Sequence, residues 1–206
     1  LWGLSQECLK RTIFPMGQFH KEDIKQMAID RGYEELAKKP ESYEICFIPD
    51  NDYRGFLKRR VDGLEEDVKG GNFINTAGEV IGKHDGYPFY TIGQRKLGVS
   101  FGVEASYVVE IRPETNEVVV GSKEDLKKLE MYVKGLNLVK YDHIPDGTEA
   151  LAKVRYKHQG ELATLTYEGE EIKALFHAKV DGIAPGQSAV FYEGNDLLGG
   201  GFITKK

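Results

Sequence analysis

Between residues 21 and 32, KEDIKQMAIDRG, the positions Ile24, Met27, Ala28 and Arg31 recur at steps of three and four, and Gly32 follows as a natural stop. That spacing predicts a helix, and Glu22 and Asp23 stand in its first turn, where negative charge suits the helix dipole. A shorter helix is predicted over roughly 4–11, closed by Phe14-Pro15-Met16-Gly17, and another over 50–60, DNDYRGFLKRR, capped by Asp50 or Asn51. After residue 68 the signals turn to strands. GGNFINTAGEVIGKHDG reads as two short strands around the Ala77-Gly78 turn, and FYTIGQRK as a further one. SYVVEIRPETNEVVVGS reads as a hairpin with arms over 107–111 and 117–120 and a turn carrying Pro113 and Asn116. The charged stretch KEDLKKLE, residues 123–130, is expected to be a linker. Beyond about residue 131, VKGLNLV, EALAKVRY, LATLTYE, EIKALFH, QSAVFYEG and GGGFIT follow one another with turn signals such as Pro145-Asp146-Gly147 and Asn195-Asp196 between them. Short strands at such spacing predict a small closed barrel.

The expected fold class is therefore α+β and mostly β. It has a helical N-terminal segment over 1–48, a small β-rich central domain over 49–125 and a C-terminal antiparallel β-barrel over 130–206. A chain of 206 residues, 40% hydrophobic and 30% charged, has the material for one large core or two small ones. No apolar run approaches the ~20 residues that a bilayer-crossing helix needs. The opening LWGLSQECLKR reaches charge too early for a signal peptide. The expected location is the cytoplasm, with no membrane partner.

A net charge of −5 excludes coating of nucleic acid by bulk electrostatics, and leaves recognition to local clusters of Lys and Arg. Two such clusters stand out. TIGQRKLG, residues 91–98, holds Arg95 and Lys96 between glycines, either as a solvated surface turn or as a loop that contacts phosphate. AKVRYKHQG, residues 152–160, interleaves Tyr156 with Lys153, Arg155, Lys157 and His158. Strand alternation would separate Arg155 and Lys157 from Tyr156, so all three serve one partner only at a strand end or bend. There Arg would meet phosphate and Tyr would stack on a base. An edge strand protected by charge is the plain alternative.

Pro185-Gly186 fits a type II turn, whose third position needs a positive φ, and Gln187 follows it, either bonding the loop or facing a partner. The run 199–201, GGG, is no phosphate loop, because no Lys and Ser or Thr follow it and no helix starts there. Cys8 and Cys46 are too few and too far apart for a disulfide framework, and the five His show no metal-ligand spacing, so no metal is expected. Cys46, in PESYEICFIPD, is either a small apolar residue in a core strand or a thiol at a domain junction near Lys38 and Lys39.

In order, RTIFPMG, EICFIPD, GEVIGKHDGYPFYTIGQRKLG, KVRY, PGQSAVFY and LGGGFI resemble the bacterial and organellar tRNA-specific 2-thiouridylases over essentially the whole chain, residues 4–203. The resemblance implies that Cys46 carries a persulfide and that Cys8 is structural. It also implies that Arg155, Tyr156 and Gln187 contact tRNA; the basic clusters themselves add Arg95, Lys96 and Lys157 as candidate contacts to its backbone. The implied reaction puts sulfur on C2 of the wobble uridine in tRNAs for Lys, Glu and Gln. ATP first adenylates O2, since a carbonyl oxygen is otherwise a poor leaving group. The target base leaves its stack, at a cost of a few kcal/mol. The implied sulfur donor is a sulfur-relay protein or cysteine desulfurase; no DNA partner is implied.

Two departures from the family pattern matter. The family's adenylating loop, SGGxDS, and its second catalytic cysteine have no match here, so these residues alone are expected neither to bind ATP productively nor to thiolate tRNA. The GQRKLG loop is also one residue shorter than the family's GQRKGLG. The rival readings are a non-enzymatic RNA-binding β-barrel adaptor, which leaves EICFI without a role, and a thiol carrier, which leaves the barrel without one.

Overall fold

The computed structural model describes residues 1–39, 47–98 and 106–205. Cys46 lies outside the described residues. The chain divides into two compact units. One comprises Leu1–Gln6 with Gly63–Lys206, the other Glu7–Asp62.

In the Glu7–Asp62 unit, helix α1 (Gln6–Arg11, its first residue in the other unit) precedes α2 (Lys21–Asp30), α3 (Glu34–Lys38) and α4 (Tyr53–Arg60). The stop of α2 is chemically complete. Gly32, at φ +82°, donates to Ile29 O at 2.9 Å and Tyr33 donates to Ala28 O at 2.9 Å, so two of the last carbonyls are satisfied by the turn that glycine permits. At the other end the Asp23 carboxylate accepts the His20 backbone N–H at 3.3 Å. The cap of α4 is Asp52, not Asp50 or Asn51. Its carboxylate accepts from Gly55 N at 2.9 Å, while Asp50 accepts from Asp52 N one turn earlier. The apolar stripe of α2 is only half-buried, and Ile13, Phe14, Met16 and Leu36 are exposed.

In the larger unit, α5 (Leu64–Val68) leads into a four-stranded sheet of two hairpins, β1 (Gly71–Asn75) with β2 (Val80–His84) and β3 (Tyr107–Arg112) with β4 (Glu117–Gly121). The hairpins join through a parallel pairing of β1 and β4, giving the order β2-β1-β4-β3. FYTIGQRK is not a strand. Tyr87–Phe89 forms a 3-10 turn and residues 91–98 form an irregular loop that touches β3 at one point, with Gly93 N–H to Val108 O at 2.8 Å and Val108 N–H to Gln94 O at 3.0 Å. Pro88 and two glycines break the ladder that the aromatic residues suggested.

The expected linker is also largely structured. A 3-10 turn spans Glu124–Leu126, and β5 (Lys128–Leu138) begins inside the charged stretch, because Lys128, Leu129 and Glu130 are exposed on a strand whose next three residues are buried. From there β5, β6 (Thr148–Lys153), β7 (Glu161–Glu168), β8 (Glu171–Val180), β9 (Ser188–Glu193) and β10 (Asp196–Thr204) close a barrel in the order β10-β5-β8-β7-β6-β9. All six pairings are antiparallel. Alternate residues point inward. The narrow interior takes alanines 150, 152, 163, 174 and 189 beside Leu165, Ile172, Phe176 and Phe191, all buried. The GGG run lies inside β10, where a Cβ at Gly199, Gly200 or Gly201 would sit 2.5 Å from a carbonyl oxygen of a neighbouring strand. These glycines let the strands approach where the barrel closes.

Candidate nucleic-acid interface

Strand β6 ends at Lys153, buried Val154 anchors the chain, and residues 155–157 turn outward. The His158 N–H bonds to Arg155 O at 3.1 Å and closes this turn. Arg155, Tyr156 and Lys157 are consequently all exposed, with Tyr156 at 99% of its free accessibility. The bend removes the alternation that would have set the tyrosine against its neighbours. Arg155 is aimed by a charge-assisted bond from its Nη2 to Asp181 Oδ1 at 2.6 Å. Gly182, at φ +73°, makes room for it: a Cβ there would lie 1.8 Å from Arg155 Nη1. Burial, followed by the nearby Arg155 charge, pushes the His158 pKa below the usual imidazole value. The positive charge of the turn at neutral pH thus comes from Arg155 and Lys157.

Gln187 follows a type II turn. Its N–H bonds to Ala184 O at 3.2 Å, and Gly186 has φ +85°. The turn is tied to β10 by Gly186 N–H to Ile203 O and Ile203 N–H to Gln187 O, both 2.8 Å. The backbone therefore holds the turn, and the Gln187 residue is exposed. It lines a cavity of about 630 Å3 between the barrel and the central sheet, with Tyr90, Ile92, Tyr132, Ile183 and Thr204 among the walls. The Thr204 hydroxyl there is buried without a hydrogen-bond partner. That volume lies in the range of small-ligand sites.

The structure brings Arg155, Tyr156, Lys157 and Gln187 to one end of the barrel. They sit on the β6–β7 and β8–β9 connections, which are neighbours because the end of β6 pairs with the start of β9 (Lys153 opposite Val190). Arg95 and Lys96 are exposed on the loop of the central domain, whose first residues Thr91 and Ile92 reach the cavity wall although Arg95 and Lys96 do not. Gln94 stiffens that loop, its side chain accepting from Thr91 N at 3.1 Å and donating to Lys96 O at 2.9 Å. Cys8 is exposed on α1. Sequence reasoning missed the Asp181 partner of Arg155, although the Asp181-Gly182 pair is itself a turn signal. It also missed the cavity, which is made by residues far apart in the chain. Among the described residues no three His, Cys, Asp or Glu side chains group as metal ligands, and no helix is long and apolar enough to cross a membrane.

Three family models match successive parts of the chain. Residues 1–50 match the tRNA methyl transferase HUP domain, 54–122 the tRNA methyl transferase PRC-barrel domain, and 128–203 the aminomethyltransferase beta-barrel domain. The chain is 54% identical over 205 residues to a protein of Cytophaga hutchinsonii named tRNA-specific 2-thiouridylase MnmA, covering 98% of this chain and 55% of that one. Proteins of the same name from Amoebophilus asiaticus, 54% identical over 98% of this chain and 54% of that one, and from Salinibacter ruber, 50% identical over 98% and 53%, are equally collinear with it. The chain spans about half the length of the curated relatives it matches. With the family's motifs in order, its domain series matched and half of its residues shared with named members, this chain belongs to the tRNA-specific 2-thiouridylase family.

Proposed function

We propose that the protein containing this chain replaces oxygen by sulfur at C2 of the wobble uridine in tRNAs for Lys, Glu and Gln, in the cytoplasm. These residues supply the sulfur-bearing cysteine and much of the tRNA surface. The carrying observation is the barrel end where a fully exposed Tyr156 stands between two cations and next to the Gln187 connection. Exposed aromatic and cationic side chains in one turn suit a single-stranded or splayed nucleotide, with Arg155 and Lys157 on phosphate and Tyr156 on a base. Arg95 and Lys96 add backbone contacts from the central domain. In this reading residues 1–48 are the tail of the catalytic domain, 49–125 a central β-rich domain and 130–206 the tRNA-binding barrel. Exposed Ile13, Phe14 and Met16 supply apolar surface of the kind that further protein covers.

ATP supplies the activation, by adenylating O2 so that AMP can leave. The triple-glycine run 199–201 lies within β10 and is not a phosphate cradle, and in this reading the nucleotide is bound outside these residues. In this reading Cys46 holds the persulfide. Its outer sulfur forms the bond to C2 as the C2–O bond breaks and AMP departs with the oxygen. A second thiol then attacks the Cys46 sulfur, which releases the thiolated base and leaves a disulfide. The sulfur comes from a relay protein or cysteine desulfurase.

The test is complementation with the full-length gene, comparing wild type with Cys46→Ser and reading 2-thiouridine in bulk tRNA by mass spectrometry. The expected outcome is loss of the thiolated nucleoside while the protein still folds and binds tRNA. Undiminished 2-thiouridine would make Cys46 a core residue and favour a non-enzymatic RNA-binding adaptor.

A further inference from the structure

The cavity beside Gln187 is lined by residues of the central sheet and of the barrel, all within the Gly63–Lys206 part of one unit. Its two buried aromatic wall residues are fixed by their own neighbours. Tyr90 packs edge-on against Phe73, with centroids 5.2 Å apart, and against His84 at 5.3 Å. Tyr132, on β5, pairs with Lys173 on β8, whose Nζ lies 5.7 Å from its ring centroid. Ile92, Met131 and Ile183 add apolar surface, so the cavity is formed before any ligand arrives.

The polar groups decide what enters. Glu110, Glu114 and Glu130 stand on the walls against Lys128 and Lys205. Glu110 is paired with Arg112 and with Lys205, each at 3.2 Å, and although burial opposes it these bonds hold its carboxyl below the usual value. Negative charge therefore exceeds positive on the walls, which disfavours a phosphate and leaves room for a neutral group. Gln187 supplies the directional element. Its backbone N–H and C=O are both used by the turn, and among the described residues its side-chain carboxamide has no hydrogen-bond partner. That amide offers an acceptor and two donors, the pattern that pairs with a base edge. Phosphate is provided for next door. Arg155 is held by Asp181, two residues before the wall residue Ile183 and so within about 7 Å of it along the chain. A single nucleotide bridges such a gap from phosphate to base. We propose that the cavity is a nucleobase pocket, in which one splayed base of the bound tRNA lies against Tyr90 and Tyr132 with its edge on the Gln187 carboxamide and its phosphate outside on Arg155. This deepens the tRNA-thiolating reading above and rests on it. Tyr156 is left to stack on a neighbouring base.

The experiment uses the full-length protein. It measures tRNA binding across a range of salt and probes chemically the base edges of the bound tRNA. The variants are Gln187→Ala, which removes the amide, and Ala184→Trp and Thr91→Trp, which fill the cavity from the barrel side and from the central-domain side. Each should raise the Kd about tenfold. The slope of log K against log salt should stay as in wild type, because no phosphate contact is lost. One base that wild type protects should become reactive in all three variants. Removing that base from the tRNA should weaken wild type about as much and the filled variants no further. Thermal melts check the folding of the tryptophan variants, and Gln187→Ala, which alters only an exposed side chain, reads the pocket should they fail to fold. Filled variants that fold and bind tRNA like wild type, or a loss of affinity that lowers the salt slope, overturn the pocket alone. A wild type that binds no tRNA overturns both this inference and the reading beneath it.

Discussion

Arg155 is held by one partner, and that partner competes with phosphate for it. The Arg155–Asp181 pair is partly exposed, so its contribution to folding is at most about 1 kcal/mol. Asp181→Asn should release the guanidinium and tighten tRNA binding severalfold in a filter-binding titration. Arg155→Ala should weaken it and reduce the slope of log K against log salt by about 1. Weaker binding by Asp181→Asn would mean that the pair serves the loop and not the ligand. Tyr156 has nothing to lose in the folded state, being exposed on every side. Tyr156→Ala should leave the melting free energy within about 0.5 kcal/mol while costing about 1–3 kcal/mol of tRNA affinity, with Tyr156→Phe close to wild type. Equal affinity for Tyr156→Ala and wild type would remove the stacking role. These residues were legible as candidates because a mixed basic and aromatic cluster is rare enough to notice. Their common exposure was not legible, because it depends on β6 stopping at Lys153 and not running on through Lys157.

At the scale of elements, β2 carries a titratable group into the central core. His84 is 6% exposed and packs against Phe73 and Tyr90, and its Nδ1 accepts the Gly86 N–H at 3.0 Å. Burial pushes its pKa below the ordinary value, with the Asn72 backbone opposing only in part. The unfolded chain thus takes up a proton near pH 6.5 that the folded sheet resists, so stability is full above that pH and falls as the pH drops from there towards the folded pKa. Protonation of Nδ1 would also remove the acceptor for Gly86. Thermal melts at pH 7.5 and 5.5 should show a lower midpoint at the acid end, and His84→Gln should flatten the difference. A wild-type midpoint that does not move would show that this imidazole is already relieved by another route. The strand periodicity predicted β2 itself, but GKHDG alone does not reveal that its histidine turns inward. That follows from the pairing of Gly71 with His84, where the glycine leaves space for the ring.

For the whole molecule, the net charge of −5 and the proposed RNA partner are reconciled by distribution. If the basic clusters are the footprint, tRNA affinity should fall steeply between 50 and 200 mM salt as counterions return to the phosphates, to an extent set by how many contacts exist. A salt-independent affinity, measured by fluorescence anisotropy, would contradict an electrostatic footprint. The sequence by itself determined the fold class, the six barrel strands, the type II turn before Gln187, the stop at Gly32 and the family. Each of these rests on local chemistry: period, glycine φ, proline geometry and motif order are written along the chain. Only the tertiary structure decided that β1 and β4 pair in parallel, that β5 starts inside the charged stretch, that FYTIGQRK is a loop, and that Trp2 docks on Phe202 and Gly200. Those outcomes depend on which distant surfaces compete for the same backbone and the same apolar area, and no local pattern carries that information.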